Sequence, residues 1–202
     1  MPYCGRMRGN MKALIKLMAG LIIITLDGRI QLDIMPVNVI TDIVGYGLII
    51  WGATELVSWS PCFKSCRLHA VLSLIFSLGI RMVTYFEMSH SFVALMYGMT
   101  AIFYIYMTYY IMEGLMVKNK MEKITEPNAN LKGAWMALAV AEFLYSLCYL
   151  ADIGTFLEEV GLGGLEAPVR GLVGAVAFAL NAFFVIMINQ VRGLLYPKKE
   201  TI

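Results

Sequence analysis

Six stretches of this chain approach the length of apolar helix that hydrocarbon demands, and that recurrence limits the fold more than any motif does. Crossing a bilayer core takes about 20 apolar residues in a helix. Lys12–Leu26, Val39–Val57, Leu68–Phe86, Phe92–Met116, Leu131–Ala151 and Val169–Val191 come close. Composition agrees: 59% of the 202 residues are hydrophobic and 15% are charged, against about a quarter charged in a soluble domain. A chain this small cannot form a core large enough to hide that much apolar surface from water. Lipid is therefore its expected solvent. The fold class predicted is an all-α integral membrane helical bundle, a single transmembrane domain over residues 1–202 with six spans. The count falls to five if the first helix does not span. Lys12–Leu26 covers only about 21 Å of helix, and it crosses only if Lys16 snorkels and the bilayer thins.

The loop charges favour six. Cytoplasmic loops collect Lys and Arg, and six spans put both termini with the second and fourth loops on one side. That side then holds Arg6, Arg8, Lys12, Lys16, Lys64, Arg67, Lys118, Lys120, Lys123, Lys132, Arg192, Lys198 and Lys199, which are 13 of the 16 basic residues. Arg29 and Arg170 fall on the other side with Asp27, Asp33, Glu87, Asp152, Glu158, Glu159 and Glu166. The predicted topology is a multi-pass protein of the plasma membrane with both termini cytoplasmic. The basic residues before Ala19–Leu26 resemble the start of a signal peptide. The run ends Thr25-Leu26-Asp27-Gly28 with no small-x-small cleavage site, so the segment reads as a retained first helix. Met11 is as good a start as Met1, which makes Met1–Asn10 a dispensable extension.

Ionisable groups inside a membrane are expensive and mark sites by default. Counting 1.5 Å per residue from the cytoplasmic end of each span places Glu142 about 15 Å deep, Asn181 about 16 Å, Arg81 about 20 Å and Asp42 about 22 Å. A lone charge there costs several kcal/mol, so Arg81 is expected to pair with Asp42, with Glu142 or with both. Two readings stay open: an ion pair that sets helix register, and a substrate or ion site where Glu142 exchanges a proton or binds a cation, with Asn181, Arg81 and Asp42 around it. Trp135, Glu142 and Tyr149 recur every seven residues, with Ser146 a turn beyond Glu142, so they share one stripe of the fifth helix. In the sixth helix Gly171, Ala175, Ala179 and Ala182 form a small-residue face that permits close helix approach and a homo-oligomer. Asn181 borders that face, either as an interhelical hydrogen bond or as part of a site.

Other groups carry less. Tyr109 and Tyr110 suit a cytoplasmic aromatic belt, while Tyr104 and Tyr106 lie deeper, where a hydroxyl needs a partner. Cys62, Cys66 and His69 lack the second ligand pair that a zinc site wants, and the four cysteines form no secreted disulfide framework. The glycines of Gly161-Leu162-Gly163-Gly164 are followed by no Lys-Ser/Thr pair, so they are not a phosphate loop; with Glu158 and Glu159 they read as an interfacial helical turn and a hairpin. Three helices on each side of the third loop would permit an inverted repeat, but the halves share no convincing similarity. Net charge is +2, too small to argue for nucleic acid. Membrane lipids are the expected partners, and no cofactor or metal is called for.

The stretch from Leu26 to Arg67 resembles a group of small, uncharacterised bacterial multi-pass membrane proteins. The matching residues are Leu26-Asp27, Asp33-Ile34-Met35-Pro36, Asp42-Ile43-Val44-Gly45-Tyr46, Glu55-Leu56 and Ser60-Pro61-Cys62-Phe63-Lys64-Ser65-Cys66-Arg67. Val37–Thr41 intervene between Pro36 and Asp42, where the group's pattern has none. The resemblance implies a polytopic membrane protein without assigned activity and supplies no catalytic residues; it makes Cys62 and Cys66 incidental. As a helix start the motif has a physical sense: Pro36 breaks the outer segment, Asp42 sits in the first turn against the helix dipole, and Gly45 and Gly52 admit a close neighbour.

Three classes of function follow. A small-solute or ion transporter rests on Glu142, Asn181 and Arg81 near the midplane. A non-catalytic regulatory or assembly component rests on the small-residue faces. A membrane enzyme comes third. Asp27-Gly28-Arg29, Asp33 and Asp42 lack both the Ala-Arg and the spacing of the CDP-alcohol phosphotransferase motif, and no Ser, Cys or His nucleophile constellation is visible.

Overall fold

The computed structural model describes residues 3–29, 35–86, 89–124, 126–150, 158–161 and 163–197, with side chains described for all of these except 3–9, 27–29, 35–38, 84, 90, 149, 150, 163 and 166. Asp33, Glu87 and Asp152, and the side chains of Arg6, Arg8, Asp27, Arg29, Pro36, His90, Tyr149 and Glu166, lie outside the described residues, as do Lys198 and Lys199. Six long helices carry the fold: α1 (Tyr3–Arg29), α2 (Met35–Leu56), α3 (Cys62–Tyr85), α4 (His90–Met121), α5 (Glu126–Leu150) and α6 (Glu166–Leu195). A 3-10 turn, Gly163–Leu165, leads into α6, after a turn at Gly161 that needs its positive φ of 75°. Glu158 and Glu159 are helical.

Among the described residues, five helices have the length and apolarity to cross a membrane, with windows at Val39–Leu56, Cys62–Val83, Ser91–Met121, Glu126–Cys148 and Ala167–Leu195. The protein is an all-α, multi-pass membrane protein. Its exposed surface fits that solvent: Ile40, Trp51, Leu68, Ile75, Met82, Leu95, Val140, Phe143, Leu172 and Ile186 all face outward. The sixth helix, α1, runs well beyond the 12–26 segment of the sequence reading. Its 27 residues reach about 40 Å at 1.5 Å per residue.

Each helix packs on its neighbours in sequence, and α6 closes back on α1, so the six helices make a ring. Short connections from α1 to α5 impose this order, since a few loop residues only suffice to turn a helix back along its predecessor. The starts of α1, α3 and α5 and the ends of α2, α4 and α6 therefore share one end of the bundle, called here the terminal end. Trp59 in the α2–α3 turn stacks on Tyr196 past the end of α6 (6.4 Å) and meets Phe63 of α3 edge-on (6.5 Å). Burial at this seam, helped by Glu122 and opposed by a hydrogen bond with Asn10, pushes the Tyr196 phenol up to about 12. Ser60 and Pro61 start α3, with the Ser60 hydroxyl accepting the Cys62 N–H at 3.2 Å, an N-cap arrangement. Phe63 is fully buried and occupies the space left by Gly114, where an added Cβ would lie 2.6 Å from the Phe63 ring.

The closest contact in the ring is the glycine seam between α1 and α2. A Cβ on Gly20 would stand 2.5 Å from the Gly45 carbonyl, and one on Gly52 would stand 2.7 Å from the Ala13 carbonyl. Gly45 and Gly52 thus admit a neighbour's backbone, as the sequence suggests. Along the same pair Lys16 donates to Glu55 and lies 3.6 Å above the outward-facing Trp51 ring, so its charge is met at the edge of the helix pair.

One expectation needs correction. Asp42 is not in the first turn of its helix. Val37–Thr41 are helical, α2 begins at Met35, and Asp42 lies two turns inside it, so the helix dipole does not explain the residue. The small-residue face of α6 does not pack within the chain. Gly171, Ala175, Ala179 and Ala182 are exposed, whereas Ala177, Asn181 and Phe184 turn inward. The larger side chains on the other face of α6 fill the ring and leave the small ones outside.

Candidate functional site

The interior of the ring changes character along its axis. Toward the terminal end it is filled by Leu14, Leu17, Ile49, Leu56, Phe63, Ile111, Leu115, Leu131, Ile188 and Val191. Toward the other end polar side chains are buried beside apolar ones such as Ile80, Val83 and Ala177: Asp42, Tyr46, Ser73, Ser77, Tyr104, Glu142, Ser146 and Asn181 are all buried. Helix periodicity puts them there. Asp42 and Tyr46 are one turn apart on α2; Ser73, Ser77 and Arg81 are one turn apart on α3; Glu142 and Ser146 are one turn apart on α5.

Two hydrogen-bonded groups face each other across this region. In the first, Asp42 is 4% exposed; it accepts the Ser77 hydroxyl at 2.6 Å and lies 3.5 Å from Arg81 Nε. The predicted pairing of Arg81 is therefore made with Asp42. In the second, Asn181 is 2% exposed and Glu142 8%. The Asn181 amide donates to Glu142 Oε1 at 2.7 Å and to the Ala177 carbonyl at 3.1 Å, while its oxygen accepts the Tyr104 hydroxyl. Both amide hydrogens are spent and the carbonyl is occupied, which fixes the orientation of the side chain. Glu142 and Asn181, assigned to the same depth from sequence, are in direct contact.

Tyr46 is buried one turn from Asp42 on α2, and Asp42, Tyr104 and Glu142 all act on it electrostatically, with Ser73 as its neighbour on α3. Nearer the far end, Tyr97 stands in the field of Tyr145, Arg81, Arg170 and Asp42. All four sequence-predicted residues, Glu142, Asn181, Arg81 and Asp42, thus belong to one polar interior, to which α2, α3, α4, α5 and α6 each contribute. Among the described residues of α1, Thr25 is the buried polar one, and it donates back to its own Leu21 carbonyl at 2.6 Å. Sequence reasoning did not assign Tyr46, Ser77, Tyr97, Tyr145 and Arg170 to the site. The signal for Tyr46 and Ser77 was present: each sits one turn from a charged residue already singled out.

The stripe predicted on α5 is partly seen. Glu142 and Ser146 are buried, and the Trp135 indole nitrogen is buried with its ring edge-on to Tyr109 at 5.2 Å. On α4, Tyr104 faces the interior, whereas Tyr106 is half exposed and meets His69 of α3, which also approaches Phe103 and Tyr110. His69 Nδ1 is 2.8 Å from the Ser65 carbonyl, which accepts only, so that nitrogen carries the hydrogen.

Chemically, the arrangement holds two carboxylates and an arginine in a region sheltered from bulk water. Asp42 and Arg81 offset each other, while Glu142 is oriented by an amide and faces hydroxyls. Uptake of a proton or a cation at Glu142 changes the charge of the interior. Comparison of the chain with protein-family models, with curated proteins and with solved structures finds no match.

Proposed function

We propose that the protein moves a small solute or ion across its membrane, with Glu142 as the group that takes up a proton or cation. The carrying observation is the burial of the Glu142–Asn181–Tyr104 chain, and of Asp42 paired with Arg81, in the interior of one ring of helices. A register pin alone needs one satisfied pair. Five helices here bring polar side chains to a common interior, at a depth where each unsatisfied group costs several kcal/mol. Asn181 holds Glu142 in one orientation, Arg81 balances Asp42, and the hydroxyls of Tyr46 and Tyr104 offer a path for a proton or ligands for an ion.

The reading includes a topology: both termini cytoplasmic in the plasma membrane, so that the apolar terminal half faces the cytosol and the polar half faces outward. It also retains the resemblance over Leu26–Arg67 to bacterial multi-pass proteins. The test is proton-coupled or cation flux into vesicles containing the purified chain, compared with Glu142→Gln. Loss of flux with unchanged folding supports the proposal; equal flux removes Glu142 from any mechanism. Reporter fusions at the two ends check the topology, which fails if they report opposite sides.

A second reading draws on α6. Gly171, Ala175, Ala179 and Ala182 lie along its outer face with nothing within the chain packed on them, which suits a homo-oligomer or an assembly partner in lipid. In that case the protein is a non-catalytic membrane component and the polar interior is structural. Ala179→Leu then shifts the oligomeric state in detergent and leaves vesicle flux without meaning.

A further inference from the structure

Away from the polar interior, a groove of about 520 Å³ runs along the outside of α2 and α3, lined by Ile50, Lys64, Ser65, Arg67, Leu68 and Val71. We propose that it binds one anionic phospholipid, with the headgroup phosphate between Lys64, Ser65 and Arg67 and an acyl chain against Leu68, Val71 and Ile50.

The helix places these groups in that order. Lys64, Arg67, Leu68 and Val71 are spaced i, i+3, i+4 and i+7, so they form one stripe of α3. The stripe begins with two cations in the first two turns, at the end of a membrane-crossing helix, and becomes apolar deeper in. Leu68 is 57% exposed and Val71 37%, and Ile75 continues the line at 57%. In a helix of this apolarity such surface lies against acyl chains. The groove therefore has the polarity gradient of a phospholipid, charged at headgroup level and greasy below.

The charge is also uncommitted. Elsewhere some of the bundle's cations are paired, Lys16 with Glu55, Lys118 with Glu122, and Arg81 with Asp42, while others among the described residues, such as Lys12 and Lys132, are not. Among the described residues, Lys64 and Arg67 make no ion pair or side-chain hydrogen bond with the protein, and no acidic residue lines the groove. Two basic side chains, a hydroxyl and the positive end of α3 act on the same space. Phosphate is the anion that every bilayer offers at that depth. A lipid with net negative charge is favoured over a zwitterionic one, because no acidic side chain is present to meet a choline or ethanolamine group.

The experiment is native mass spectrometry of the full chain released from detergent after incubation with phosphatidylglycerol or with phosphatidylcholine of the same acyl chains. One phosphatidylglycerol per chain should be retained preferentially. The double variant Lys64→Gln/Arg67→Gln should lose about 30-fold in that retention, the contribution of two basic groups at an anionic surface. Lys64→Arg/Arg67→Lys should keep it. Val71→Trp, which fills the apolar floor and leaves both charges, should also release the lipid. Equal retention of the two lipids by the unaltered chain overturns the proposal, as does unchanged retention in either the Gln or the Trp variant. Displacement by inorganic phosphate alone would mean a free-anion site and overturns it too. If the Gln variant does not elute as a folded species, the Trp variant decides. None of these readouts depends on flux, so the lipid site and the transport reading fail separately.

Discussion

The two halves of the ring are built from the same six helices and filled in opposite ways. At the terminal end, leucines, isoleucines and Phe63 interlock, with few polar groups, such as Asn119 and Ser60, buried among them, and an aromatic seam of Trp59 and Tyr196 covers the top. At the far end the same inward positions carry Asp42, Arg81, Tyr46, Tyr104, Glu142 and Asn181. Apolar packing is enough to hold helices together and is tolerant of composition. A buried polar cluster brings no comparable return in stability, since its gain in hydrogen bonds is largely offset by desolvation. Under the proposed function one half supplies stability and the other chemistry, and substitutions can break or sharpen that division.

The largest stability loss is expected in the apolar half. Phe63→Ala empties the space beside Gly114 and should cost about 4 kcal/mol, read as a fall in unfolding midpoint in detergent. Asn181→Leu removes the donor to Glu142 and the acceptor for Tyr104, and should cost about 2 kcal/mol. Should Asn181→Leu prove more damaging than Phe63→Ala, the polar half is a structural element and the division collapses. Asp42→Asn keeps the shape and the Ser77 contact but removes the charge facing Arg81. Because Arg81 is partly exposed, water tempers the loss to about 1 kcal/mol; Asp42→Asn combined with Arg81→Gln should cost less than the sum of the two. Lys118→Ala breaks an exposed i, i+4 pair with Glu122 and should change stability by no more than about 0.5 kcal/mol. A larger effect would mean that the cation over Trp59 helps to hold the seam.

Much of this architecture was legible in the residues. Apolar run length identified the membrane-crossing helices, because hydrocarbon leaves few other ways to satisfy the backbone. Depth counting placed Glu142 beside Asn181 and Arg81 within reach of Asp42. Register around Asp42 was misjudged because Pro36 reads as a break, whereas a proline in the first turn of a helix is tolerated. Val37–Thr41 therefore continue the helix, and Asp42 moves inward. On α6 the small residues reveal only where close approach is possible, and the packing of Ala177, Asn181 and Phe184 decides that this face turns outward. Tyr46 was missed as a site residue since a lone tyrosine in an apolar run looks like core, and its role depends on α4 and α5, far away in sequence.

The Lys16–Glu55 pair bears on how the chain enters its membrane. Should the first helix cross the membrane, its lysine would have no counter-charge until the second helix is made, and lateral release of the first helix alone would carry an ammonium group into oil. The glycine seam would then let both helices nest before leaving the insertion machinery. By such a route the leading helical hairpin would be the unit of insertion, and a lengthened first loop should delay the process more than a lengthened second one.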